Sequence, residues 1–117
     1  MSRVIDSKTY DADIISQGLQ FQKDNYYEPK DFHMRTRIDV VLKAVAPQNN
    51  EKILDIGCGV GTFAYHCAKK GAMTTGIDYS SESVAAAQAL TESYGLSSRA
   101  HFVVGNALQL PFENGSF

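Results

Sequence analysis

The chain has 117 residues, a formal net charge of -2 and a pI of about 5.8, enough length for one small domain with a real core. The seven basic and seven acidic side chains before residue 51 are intermixed with no block of one sign, so there is no electrostatic case for a nucleic-acid partner. No apolar h-region opens the sequence, no stretch reaches membrane-spanning length, and two cysteines are too few for a disulfide framework; no membrane partner is expected, and the expected compartment is the cytosol.

Residues 1–50 read as an N-terminal helical cap segment. Asp11 is placed to cap a short helix carrying Ile14, Ile15 and Leu19, which Gly18 weakens. Tyr26 and Tyr27 follow, just before Pro29. Met34, Ile38, Val41, Leu42 and Val45 then share one face of an amphipathic helix, with Asp31 as its N-cap and Pro47 beyond its end. Gln48-Asn49-Asn50 turns into a first strand over 52–56. After a glycine-rich turn, Phe63, Ala64, Cys67 and Ala68 repeat with helical spacing, and Gly71 stands at the C′ position. A second strand covers 73–77, and Ser80 or Ser81 caps a helix running through Val84, Ala87, Gln88 and Leu90 to Gly95. A third strand covers 100–104, and residues 112–117 are loop-like. Strands separated by helices give the α/β class, with a parallel, doubly wound sheet and right-handed crossovers.

The most informative run is Ile53-Leu54-Asp55-Ile56-Gly57-Cys58-Gly59-Val60-Gly61. It puts glycines at the carboxyl end of a buried strand, where open α/β sheets bind nucleotides. Glycine suits such a turn because it tolerates φ > 0 and leaves the backbone open to a ligand. A dinucleotide fingerprint can be laid over Gly57 and Gly59, but its third small position falls on Thr62, and the third glycine comes one residue early, at Gly61. Asp55 beside the loop also suits a cationic ligand better than a pyrophosphate. The alternative is a turn that uses glycine for geometry only. Asp78 ends the second strand 21 positions after Gly57, where a carboxylate either accepts from two ribose hydroxyls or caps the following helix.

The acidic-x-Gly-x-Gly-x-Gly pattern resembles the cofactor loop of the class I S-adenosylmethionine-dependent methyltransferases, of the small-molecule type. The resemblance covers residues 52–117 and extends to Val104-Gly105-Asn106-Ala107, Leu110-Pro111-Phe112 and Gly115-Ser116-Phe117. It implies a Rossmann-like sheet with its first three strands in the order 3-2-1. Residues 51–117 would be the N-terminal half of the S-adenosylmethionine-binding domain, truncated before the fourth strand. The implied cofactor is S-adenosylmethionine, and the implied cofactor-binding residues are Asp55, Gly57, Cys58, Gly59, Gly61, Asp78, Tyr79, Asn106 and Ala107. Tyr79 would lie against the adenine face. Asn106 stands where the family has an acid, and its amide oxygen can still accept from the adenine amino group; the Ala107 N–H could donate to a ring nitrogen. The implied activity is methyl transfer to a small-molecule acceptor. The rival readings are a cofactor-binding module without turnover and a nicotinamide-dependent oxidoreductase.

No catalytic residue can be named, because the sulfonium already activates the methyl group and the acceptor pocket is not identified. No metal is expected: Cys58 and Cys67 lack partners at ligand spacing, Cys58 filling a crowded turn and Cys67 packing on the sheet. His33, His66 and His101 form no set, with His66 expected on the outer side of its helix. Tyr26, Tyr27 and His33 fall in the region that in this family lids the cofactor and reaches the substrate. The first strand is expected to carry an open apolar edge, through which the chain could self-associate.

Overall fold

Local chemistry sets the element boundaries. The computed structural model describes residues 18–117. The cap expected at Asp11, with Ile14 and Ile15, lies outside the described residues. Residues 18–22 are α-helical and run directly into a π turn, Lys23–Tyr27. Helix α1 spans Phe32–Val45, and the Asp31 carboxylate accepts from the Met34 amide at 2.8 Å, satisfying one orphan donor of its first turn. It ends at Ala46, left-handed at φ 47°, whose N–H donates to the Leu42 carbonyl. Strand β1 (Lys52–Ile56) follows, then α2 (Thr62–Lys69), β2 (Met73–Asp78), α3 (Ser81–Ser93) and β3 (Ala100–Val104). Ser80, not Ser81, caps α3 by accepting from the Ser83 amide at 3.1 Å.

The three strands form one parallel sheet with β2 between β1 and β3. Among the described residues no strand pairs the other edge of β1. Side chains alternate along each strand, so the register puts Ile53, Asp55, Thr74, Gly76, Ala100 and Phe102 on one face. Helices α2 and α3 cover that face. Thr74, Gly76, Ala100 and Phe102 are buried there, whereas His101 and Val103 of the opposite face are exposed.

Small helix residues let the layers approach closely. Ala64, Ala68, Val84 and Ala87 pack with Cys58, Ala100 and Phe102 into one buried cluster. A second cluster joins Tyr27, Val60, Tyr65, Ala86 and Leu90 under the glycine loop. Gln88, expected on the apolar stripe of α3, is exposed, and its amide donates to the Phe102 carbonyl on the outer edge of β3 at 3.2 Å. It thus satisfies an edge carbonyl that the sheet leaves unpaired. At the opposite end of the sheet from the glycine loop, the Arg99 guanidinium ties the turns together, donating to the Gly71 carbonyl at 2.7 Å and to Asn50 Oδ1 at 3.0 Å.

Gly76 is the tightest point of the sheet. A β-carbon there would stand 2.7 Å from the Phe102 ring and 2.8 Å from both Cβ and Sγ of Cys58. The Phe102 ring and the Cys58 side chain can therefore both lie over β2 only because position 76 is a glycine. We expect Gly76→Ala to destabilise the chain by roughly 1–3 kcal/mol, the usual cost of overpacking a filled core. Urea unfolding measures this, and an unchanged midpoint would show that Phe102 and Cys58 have room to move.

Candidate functional site

The site lies where the three parallel strands end. Gly57, Gly59 and Gly61 are all left-handed, at φ 73°, 55° and 86°. The Gly57 and Cys58 amides both donate to the Ile77 carbonyl, at 2.8 and 3.0 Å, and fasten the loop to the end of β2. The Gly105 amide donates to the Asp78 carbonyl at 2.9 Å, bringing the end of β3 alongside. A cavity of about 320 Å³ opens between them, lined by Gly57, Ile77, Asp78, Tyr79, Gly105, Asn106 and Ala107.

Five of the residues expected from sequence thus meet in one cavity: Gly57, Asp78, Tyr79, Asn106 and Ala107. Asp78 is buried, and both carboxylate oxygens are engaged: Oδ2 accepts from the Gly59 amide and Oδ1 from the Ser80 amide, each at 2.9 Å. Since Ser80 is the helix cap, Asp78 is not; it braces the glycine loop against the turn into α3. Each carboxylate oxygen keeps a further lone pair. Tyr79 is 62% exposed, its ring standing at the rim. The Asn106 side-chain oxygen accepts from the Leu108 amide at 2.9 Å, an Asx turn that shapes the loop after β3.

The other expected residues stand behind this cavity. Gly59 reaches it through its bond to Asp78. Cys58 is buried beneath the loop, and burial, reinforced by the charges of Asp55 and Asp78, pushes its thiol up to about 12. It stays protonated and is no nucleophile. Gly61 is the N-cap of α2, wedged so that a β-carbon would meet the Tyr27 hydroxyl at 2.9 Å and the Phe102 ring at 3.0 Å. Asp55 faces the first turn of α2 and hydrogen-bonds the backbone of Ala64. Burial, then repulsion from Asp78, raises its pKa to about 6, against that hydrogen bond.

Two cavity residues escaped sequence reasoning, Ile77 and Gly105. A β-carbon at Gly105 would lie 2.7 Å from Ile77 Cδ1, so a glycine directly after the strand was the available signal. Two expectations are corrected. Tyr27, expected in a region that reaches the substrate, is instead buried at 1% exposure against the back of the loop. His66 is not on an outer face: it is half-buried, edge-on to Tyr65, with Nε2 buried and without a hydrogen-bond partner, and burial lowers its pKa. Among the described residues no group of three or more His, Cys, Asp or Glu could hold a metal ion, and no helix is long and apolar enough to cross a membrane.

Comparison with known proteins converges on the same strand ends. Residues 53–117 match the methyltransferase domain family. The chain is 44% identical over 68 residues to norajmaline N-methyltransferase of Rauvolfia serpentina, covering 57% of this chain and 23% of that enzyme. It is 35% identical over 94 residues to a probable chloroplastic tocopherol O-methyltransferase of Oryza sativa subsp. japonica, covering 73% of this chain and 26% of that protein. A solved S-adenosylmethionine-dependent methyltransferase of Methanosarcina mazei superimposes with a TM-score of 0.58 at 39% identity, over 65% of this chain and 38% of that one. The chain thus spans about a quarter of the length of the curated relatives it matches.

The raised Asp55 pKa has a signed consequence for stability. Between the ordinary value of 3.8 and about 6 the folded chain holds a proton that the unfolded chain releases. Stability of the ligand-free chain therefore falls as pH rises through that window. We expect Asp55→Asn, neutral and of the same shape, to flatten this dependence and to be more stable than the parent at pH 7. Urea melts at pH 4 and pH 7 check it; parallel profiles for the two proteins would contradict it.

Proposed function

We propose, for a chain that belongs to the class I S-adenosylmethionine-dependent methyltransferases, that its cavity holds the adenosine half of the cofactor and its glycine loop the methionine half. The cofactor of the family is S-adenosylmethionine. The side chains present fit that group: two carboxylates flank the loop, and no cationic side chain lines the cavity. A pyrophosphate would meet repulsion there, whereas an ammonium and a sulfonium are attracted.

Asp78 carries this reading. Its carboxylate is pinned by the Gly59 and Ser80 amides at the cavity wall, and its remaining lone pairs could accept from two adjacent hydroxyls of a ribose. Tyr79 offers an exposed ring for the adenine face, and Asn106 and Ala107 line the same cavity, where they would meet the adenine edge. Asp55, Gly57, Cys58, Gly59 and Gly61 form the methionine side, Asp55 supplying negative charge. When bound, the cofactor supplies a methyl carbon activated by its sulfonium. The chain's own work is then alignment and exclusion of water, which suffices for an in-line displacement. A general base is required only where the acceptor must lose a proton. For the whole protein we propose methyl transfer to a small-molecule acceptor, in keeping with the N- and O-methyltransferase relatives.

Isothermal titration tests the cofactor reading. The chain is expected to bind S-adenosylhomocysteine and not NAD, and binding of NAD alone would overturn the assignment. Asp78→Asn should weaken S-adenosylhomocysteine binding by about 1.5–3 kcal/mol, the range for hydrogen bonds to a charged group. Because Asp78 also braces the loop, the variant should melt earlier as well; unchanged affinity of the folded variant would remove Asp78 from the ligand contacts.

A further inference from the structure

The π turn has no part in the proposed cofactor contacts, yet it sends a side-chain hydrogen bond to the glycine loop from outside the sheet's strand ends. The Tyr27 hydroxyl donates to the Val60 carbonyl at 2.7 Å, between two residues of the loop and in a buried setting. Its oxygen also stands 2.9 Å from where a β-carbon of Gly61 would be, and the Phe102 ring stands 3.0 Å from the same point. The last glycine of the loop thus abuts both a hydroxyl and a ring, with no room for a side chain.

We infer that Tyr27 is a positioning residue for the cofactor loop, and that through it the docking of the π turn and the binding of cofactor are coupled. The π turn aims it. The Glu28 amide reaches back five residues to the Lys23 carbonyl at 2.8 Å, so this turn carries one residue more than an α turn. An α-helical register would swing Tyr27 away by about 100° around the axis. Such single π turns are uncommon and concentrate at functional positions. The ring is fixed as firmly as the hydroxyl: it stacks on Tyr65 of α2 at 4.3 Å and on Tyr94, just past α3, at 5.7 Å. One side chain therefore ties the N-terminal segment to both helices and to the loop. Burial raises the Tyr27 pKa, so the hydroxyl remains a donor at every physiological pH.

The coupling follows from linkage. If the loop must keep the Val60 carbonyl turned to Tyr27 in order to hold the cofactor, then cofactor must in turn hold the π turn in place. This second step rests on the cofactor reading; the positioning role of Tyr27 does not.

Residue-resolved hydrogen exchange on the chain and on Tyr27→Phe, which removes the hydroxyl and keeps the stacked ring, tests both. In the ligand-free variant the Gly59 and Gly61 amides should exchange about tenfold faster or more, while β2 amides keep their rates, as for local opening. S-adenosylhomocysteine should slow exchange across residues 23–28 in the parent, do so less in the variant, and bind the variant several-fold more weakly. Parent rates at Gly59 and Gly61 in Tyr27→Phe would overturn the positioning role, because a side chain that only fills the core changes no loop amide selectively. Equal affinities for the parent and variant would overturn the coupling. Failure of the parent to bind S-adenosylhomocysteine would instead refute the cofactor reading and, with it, the coupling, leaving the loop exchange to decide the role of Tyr27.

Discussion

The hydrogen bond from the Gly59 amide to the Asp78 carboxylate fixes where the glycine loop stands relative to the end of β2. The same carboxylate takes the Ser80 amide, and the Asp78 carbonyl takes the Gly105 amide, so one residue links three strand ends and the start of α3. A buried carboxylate accepting backbone amides is stable only while both donors stay in place. The loop, the α3 turn and the loop after β3 therefore hold their positions together, and the cavity they enclose is formed before any ligand arrives. Preorganisation of this kind lowers the ordering cost of binding.

Close packing beneath the loop serves the same end. The Phe102 ring extends from β3 across Gly76 of β2 to Gly61 of the loop, occupying the positions of both missing β-carbons. A β-carbon at either site would push the ring, and with it the loop. Against this tight support stands the placement of Asp55, whose burial, reinforced by the nearby Asp78 carboxylate, raises its pKa to about 6. Their mutual repulsion burdens the ligand-free chain and favours a cationic ligand. Such a conflict between stability and binding is expected at a functional site.

Much of this could be read from the sequence because its causes are local. Asp31 and Ser80 cap their helices through amides three residues away, and Gly71 and Gly95 follow helix ends in left-handed conformations, all within one turn of chain. The strand–glycine–helix order around Gly57 likewise needs no partner elsewhere to be recognised. What escaped depends on contacts between distant segments. Nothing near Tyr27 in the chain says that its hydroxyl meets Val60, 33 positions on. Gly76 reads as an ordinary strand glycine until Phe102 and Cys58 are laid over it. From its own helix alone His66 reads as outward, whereas the π turn and α1 close over it. The double role of Asp78 was half legible: the strand-end position was visible, the bond to the loop was not.

On the proposed function, the strand-end cavity and the glycine loop form one cofactor site. Amide chemical-shift mapping of the chain during titration with S-adenosylhomocysteine tests it most directly. The largest changes are expected at Gly57, Gly59, Asp78, Tyr79, Gly105, Asn106 and Ala107, with residues at the Arg99 end of the sheet unmoved. Changes centred at that opposite end, or spread over the exposed face around His101 and Val103 with the glycine loop unaffected, would contradict it.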